Sequence, residues 1–353
     1  MANGRICYID IAKGFAMLCI IAGHFGIATI DHFVYTFHVP LFFLASGYFL
    51  STKHSIKDMA KSKARQLFIP YLVTGLSYVP ISIIINYAMG AEKDFIIENA
   101  IRSFVAIFYG SGVNVIDPVN VKLIGLLWFL PALFFGLLIA RFSLSRKHPL
   151  VIVSVVALAG WASGQVIWLP MSIQPGCVAS FFIFLGYLAR KHGIFDRKPN
   201  KALVIGALAL WVFCIFQGII CSIVWVHFDW YALSALDAVG ASYLIVFACK
   251  WCEGHFRPLA RFLNYCGQNT LTMMCFHGIS DYTFPNFQLM AFLESLGAPH
   301  FIAGAVIILL NWGWSILGIT IVKHVPILRK IYSYKEPLAL PTDMEHLSQT
   351  SVP

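Results

Sequence analysis

The stretch DIAKGFAMLCIIAGHFGIATI, residues 10–30, decides how the whole chain is read. Between Lys13 and His24 every residue is uncharged, and the run as a whole has the length of a helix crossing a hydrocarbon core of about 30 Å. Asp10 and Lys13 stand at its mouth and no small-residue cleavage site follows, so a retained first helix is expected and not a secretory leader.

The same pattern recurs outward from this segment. Further apolar runs cover about residues 37–51, 68–88, 123–140, 150–169, 177–189, 202–226, 231–249, 262–282 and 301–322. The hydropathy pattern therefore predicts an all-α, polytopic membrane bundle of about ten transmembrane helices. One transmembrane domain over 1–335 and a polar C-terminal tail over 336–353 are expected. A separate amphipathic piece, Phe95 to Tyr109, lies in the polar stretch from Gly90 to Lys122.

Composition points the same way. Of 353 residues, 59 % are hydrophobic and 12 % charged, with a mean hydropathy of +0.77. A soluble domain carries about twice that share of charge. The nine cysteines are scattered singly through apolar runs, which argues against a secreted disulfide scaffold. Continuous apolar runs, in place of ten-residue alternations, argue against a β-barrel.

The net charge of +9 is not a nucleic-acid stripe. It falls in short clusters between the apolar runs. Of the 25 Lys and Arg, only Lys93, Arg102 and Lys122 fall in one alternating set of loops, and the other 22 fall in the opposite set. By the positive-inside rule, both termini and the loop from Lys53 to Arg65 are expected in the cytoplasm.

Titratable side chains inside the spans carry the functional reading, because each must face protein, water or a function. On one continuous helix Lys13 and His24 share a face about 16 Å apart, with Asp10 nearly aligned. Two readings stand for His24: part of a polar channel, or an imidazole hydrogen-bonded to a neighbouring helix. His38 opens the second span just across the turn, within reach of His24 if the hairpin packs closely. In the ninth span Asp281 follows His277 by four residues on the same face, a pairing able to orient an imidazole. Gly267-Gln268-Asn269-Thr270 reads as a helix start and not a phosphate loop. Trp128 sits near a span end, where an aromatic belt suffices to explain it. No metal-ligand spacing, nucleotide loop or nucleophile elbow is present.

Taken in order, these pieces resemble the signature of acyltransferase family 3. They are Lys13-x10-His24, Phe37-His38-Val39-Pro40-Leu41-Phe42-Phe43-x-x-Ser46-Gly47, Arg65 ahead of Pro70-Tyr71, Leu127-Trp128-Phe129-Leu130, and Gly267-x-x-Thr270 leading to His277. The second-span motif resembles the fucose 4-O-acetylase-like branch. Lys13 departs from the pattern, since the family commonly has arginine there; lysine keeps the charge and loses the planar fork.

The resemblance implies a multi-pass enzyme of a bacterial cytoplasmic membrane. It moves an acyl group, usually acetyl, from acyl-coenzyme A to a hydroxyl of a surface glycan, a lipid-linked sugar or a small metabolite. Acetyl-coenzyme A is then a donor substrate with no permanently bound cofactor. On this reading His24 is the general base, His38 orients the acceptor or stabilises the oxyanion, and Asp10 orders the helix mouth. Lys13, Arg65, Lys61 and Lys63 hold the donor phosphates. Ser46, Trp128, His277 and Asp281 are the expected acceptor-binding residues. The alternative is a transporter of a small metabolite that uses the same polar channel with His24 as a proton relay.

Overall fold

A computed structural model of the chain describes residues 7–115, 120–338 and 340. The N-terminal six residues, residues 116–119 of the polar stretch and most of the expected polar tail lie outside the described residues. The architecture is all-α. The chain runs through α1 (Cys7–Ala22), α2 (Ala28–Val34), α3 (His38–Tyr48), α4 (Ile56–Ala88) and α5 (Lys93–Tyr109). A 3₁₀ turn at Gly125–Trp128 leads into α6 (Phe129–Ser143), followed by α7 (Pro149–Gly164). A second 3₁₀ turn at Pro170–Ser172 leads into α8 (Ile173–Lys191), and α9 (Lys201–Gln217) comes next. A minimal hairpin of β1 (Cys221–Ser222) and β2 (His227–Phe228) precedes α10 (Ala232–His255). The chain closes with α11 (Arg257–Gln268), α12 (Thr270–Thr283), α13 (Asn286–Ser295), α14 (His300–His324) and α15 (Pro326–Ile331).

Among the described residues five helical segments are long and apolar enough to cross a membrane: Ile56–Ala88, Gly125–Ser143, Pro170–Lys191, Ala232–His255 and His300–His324. Helices α7 and α9 are apolar but shorter. The outward faces of α4, α7, α9 and α14 carry exposed apolar side chains such as Ile84, Leu158, Leu203, Ile205, Phe216 and Leu309. In water such surfaces would drive association; in lipid they are ordinary.

Four of the expected spans are not single full-length helices; the seventh, expected over about 202–226, stops at Gln217, where Gly218 takes a φ of 64° and the chain turns into the β-hairpin. The first ends at Ala22, because Gly23 packs against Val34 and Gly26 takes a positive φ of 68°. His24 therefore lies beyond the end of α1, which corrects the continuous helix expected over residues 10–30. The second is reduced to the 11 residues of α3, about 16 Å of helix. The ninth breaks at Asn269 into α11 and α12.

Hydrogen bonds tie the loops into two sets, one at each end of the bundle. At the basic end, Arg141 donates to the carbonyls of Thr52 and His54, Lys250 to that of Phe195, and Gln268 to that of Leu338. At the opposite end, Tyr109 donates to the Trp168 carbonyl, Ser172 to that of Gly110, and the Cys221 amide to that of Tyr35. These are the same two sets that the Lys and Arg distribution separates.

Two helix crossings are so close that only glycine fits. A Cβ on Gly14 would stand 1.9 Å from the Leu263 carbonyl oxygen, and one on Gly267 would stand 1.7 Å from that of Asp10. Helices α1 and α11 thus cross backbone to backbone. The α3–α8 crossing repeats this, with a Cβ on Gly47 at 1.8 Å from the Ile183 oxygen and one on Gly186 at 1.9 Å from that of Leu44. Small residues that let membrane helices approach closely gain dispersion contacts where no hydrophobic drive exists between helices. These crossings fix α1, α3 and α11 against the rest of the bundle, and the site is built on them.

Candidate active site

A cavity of about 700 Å³ opens between α1, α3, α4, α6 and the β-hairpin. That lies within the ~300–1,000 Å³ usual for small-molecule sites. At the basic end its wall includes Lys13, His54, Asp58 and Lys63; at the opposite end it includes Ser222. His24 and His38 stand between, over an apolar wall with Phe42, Trp128 and Phe129.

Both histidines are held the same way. His24 Nδ1 donates to the Ile20 carbonyl at 2.6 Å, and His38 Nδ1 donates to the Val34 carbonyl at 2.5 Å. A carbonyl oxygen only accepts, so the proton of each neutral ring sits on Nδ1. Nε2 is left with the lone pair, the tautomer a general base requires. The edge-on contact between the His38 and Tyr35 rings, 4.8 Å between centroids, fixes the second imidazole further. Tyr35 in turn donates to the Gly23 carbonyl at 2.9 Å, which ties down the turn that carries His24.

The remaining sequence candidates divide into three groups. Lys13, Lys63, Ser46 and Trp128 line this cavity with the histidines. Asp10 does not line it; it is buried and pairs with Lys13 at 3.0 Å, so it acts on the cavity through that lysine. The hydroxyl of Ser46 is taken up by the Phe42 carbonyl at 2.9 Å. Lys61 and Arg65 line a second cavity that adjoins the first.

His277 and Asp281 form the third group, behind the cavity wall. The His277 ring is fully buried and meets the His24 ring edge to face, 5.1 Å between centroids. Asp281 does not hydrogen-bond it. The carboxylate lies instead against Gly125, whose added Cβ would be 3.7 Å from Oδ2. Around His277 stands a buried polar cluster: Ser280 donates to Asn311 Oδ1 at 2.6 Å, and Asn311 donates to Asn286 Oδ1 at 3.1 Å. These residues back the His24 ring from behind the cavity wall.

Tyr35 and Ser222 are among the cavity residues that the sequence reading does not single out, and Thr270 enters it only as part of a motif. Tyr35 and Thr270 reach the cavity where helices break beside them. Ser222 ends β1, its buried hydroxyl without a hydrogen-bond partner among the described residues. Such a buried hydroxyl is left to bond water or a ligand.

Neither a curated protein nor a solved structure matches the chain at a significant level. A family model, described as an acyltransferase domain, matches residues 6–322. That match spans nearly all of the bundle and every residue of the His24 cavity, so the chain belongs to acyltransferase family 3 and is a multi-pass membrane acyltransferase.

Proposed function

We propose that the protein transfers an acyl group, acetyl by default, from acyl-coenzyme A to a hydroxyl of a glycan, a lipid-linked sugar or a small metabolite. The observation that carries this reading is the pair of imidazoles in one cavity, each with Nδ1 bound to a backbone carbonyl and Nε2 free to accept. Thioesters are already activated, so the protein's task is to activate and orient the incoming hydroxyl.

In this mechanism His24 Nε2 takes the proton of the acceptor hydroxyl as its oxygen attacks the thioester carbonyl carbon. The tetrahedral intermediate collapses, the carbon–sulfur bond breaks, and the leaving thiolate receives the proton back from His24. One ester forms and one thioester is lost. The His38 Nε2 is an acceptor in the neutral ring, which suits it to orienting the acceptor hydroxyl. Oxyanion stabilisation needs a donor, and the unpartnered Ser222 hydroxyl is the group available. Lys13, held by Asp10, and Lys63 supply positive charge on the donor side.

The proposal includes orientation. The basic end faces the cytoplasm of a bacterial cell, where coenzyme A is, and the chain crosses the membrane about ten times with the short and broken helices counted. The likeness of the α3 motif to the fucose 4-O-acetylase-like branch favours a sugar hydroxyl as acceptor. The test is purified protein in neutral detergent with acetyl-coenzyme A and a panel of sugar and lipid-linked acceptors, followed by thiol release. Acceptor-dependent release that disappears in His24→Ala supports the reading; release by no acceptor, with uptake of a metabolite into sealed vesicles, replaces it with the transporter.

A further inference from the structure

The family match stops at residue 322, yet the chain beyond it is built into the molecule. Helix α15 and the segment that follows fold back over the basic end. The Tyr332 side chain is buried, and its hydroxyl shares a hydrogen bond with Thr74 of α4 at 3.0 Å. The Leu338 backbone exchanges two hydrogen bonds with the Gln268 side chain, at 2.8 and 2.9 Å. Glu336 reaches Lys323 at 3.5 Å. This segment is a strap with three separate anchors.

The strap forms one wall of the second cavity, about 940 Å³, through Lys330, Tyr332, Ser333, Tyr334 and Lys335. Opposite stand Lys61 and Arg65 of α4. Four cations therefore surround this vestibule, with Asp58 its one carboxylate among the described residues. None of the four cations is paired with a carboxylate among the described residues. The start of α12 completes the wall: Asn269, Leu271 and Thr272 line the vestibule, while Thr270 and Leu271 line the His24 cavity. The first N–H groups of that 14-residue helix, with the positive end of its dipole, sit at the junction. Asp58, Ser62, Gln66 and Leu271 belong to both cavities, so the two adjoin.

We propose that the strap residues Lys330 and Lys335 clamp the phosphorylated nucleotide end of acyl-coenzyme A from the side opposite Lys61 and Arg65. The strap is then a donor-reading element that this chain adds outside the family domain. The chemistry recognised is a dense polyanion, the 3′-phosphate and the diphosphate, joined to an arm slender enough to enter the His24 cavity past Lys13 and Lys63. This inference rests on the acyl-coenzyme A reading given above. The same cations would also suit the headgroup of an anionic lipid, so the test separates the two sources.

The experiment compares the unaltered protein with Lys330→Ala/Lys335→Ala in neutral detergent, using acetyl-coenzyme A, acetyl-dephospho-coenzyme A and acetyl-pantetheine as donors. The double variant should raise the KM for acetyl-coenzyme A about five-fold, the scale of two exposed charge contacts. Its kcat should hold, and the KM for acetyl-pantetheine should stay where it is in the unaltered protein. An equal rise for acetyl-pantetheine, or no rise for acetyl-coenzyme A, overturns the clamp. Binding of adenosine 3′,5′-bisphosphate by equilibrium dialysis reads the vestibule even if no donor is turned over, so failure of the activity and failure of the clamp remain distinct. Bisphosphate binding that is unchanged in the double variant, with loss of phosphatidylglycerol binding, assigns the strap to lipid and also overturns it.

Discussion

The rings of His24 and His277 meet edge to face, their centroids 5.1 Å apart and their planes at 80°. One lies just past the first helix and the other in the middle of α12. His24 is thereby held from two sides: its Nδ1 by the Ile20 carbonyl, its ring by His277. A base with one free nitrogen and little rotational freedom needs less reorganisation on the way to the transition state.

Removing the base should abolish turnover without harming the bundle. His24→Ala is expected to lower kcat by about 10²- to 10⁴-fold, with a monodisperse elution profile retained. His277→Ala should also lower kcat, by a smaller factor, because the base stays and only its support is lost. Steady-state kinetics beside size-exclusion chromatography measures both. Near-normal activity in a well-folded His24→Ala protein removes His24 from the mechanism.

Ser222→Ala offers a sharper separation of chemistry from stability. A buried hydroxyl without a partner contributes nothing to folding, so its removal should leave the melting temperature unchanged or slightly raised. If it donates to the oxyanion, kcat falls by about 10²-fold while both KM values hold. A fall in stability with no change in kcat would contradict the assignment.

At the donor mouth, Arg65→Ala and Lys13→Ala should each raise the KM for acetyl-coenzyme A more than they lower kcat. Lys13→Arg should be tolerated, because the charge beside Asp10 is kept. Both alanine effects should shrink as salt rises, since screening weakens partly exposed contacts. Donor titration at low and high ionic strength decides it, and a KM that ignores both substitutions places the phosphates elsewhere.

The close crossings give a prediction about folding alone. Gly267→Ala puts a methyl group where the Asp10 carbonyl oxygen already is, and neither backbone has room to yield. A loss of about 3 kcal/mol or more is expected, read as a lower melting temperature or failure to purify as a single species. Gly206→Ala in α9 meets nothing within 4 Å and should be neutral. Equal behaviour of the two variants would show that the crossing is looser than described.

Orientation is checked by chemistry from outside the cell. A cysteine introduced at Lys57 should resist an impermeant maleimide in intact cells, and one at Trp230, which is exposed, should react. The reverse pattern inverts the bundle.

Much of this was readable before any coordinates. Lys13, His24, His38, Ser46, Lys63 and Trp128 all line one cavity, as polar or aromatic residues in apolar spans must find protein or water. The helix breaks were not readable. Gly23 and Gly26 look like any glycine in a membrane helix, where glycine is common, and only the packing of Val34 shows that the first span must end there. His277 and Asp281 read as a pair able to orient an imidazole because four-residue spacing sets a shared face without saying what that face meets. Tyr35 and Ser222 reach the site through the Cys221–Tyr35 backbone contact, a pairing of distant segments that no local pattern announces. The vestibule stayed hidden for the same reason, since Lys330 and Lys335 look like an ordinary basic flank until the strap is seen to fold back.

The glycine crossing of α1 and α11 also sets a timetable for synthesis. Helix α1 leaves the ribosome well before its tightest partner, which lies some 250 residues downstream. At about 5–20 residues per second that separation is tens of seconds of translation. Throughout that interval the nascent first helix, with a charged pair at its end, has to be tolerated by the insertion machinery or by lipid. His24 is therefore synthesised early and given its surroundings late, because Gly267 and the His277 ring that meets it come some 250 residues after it.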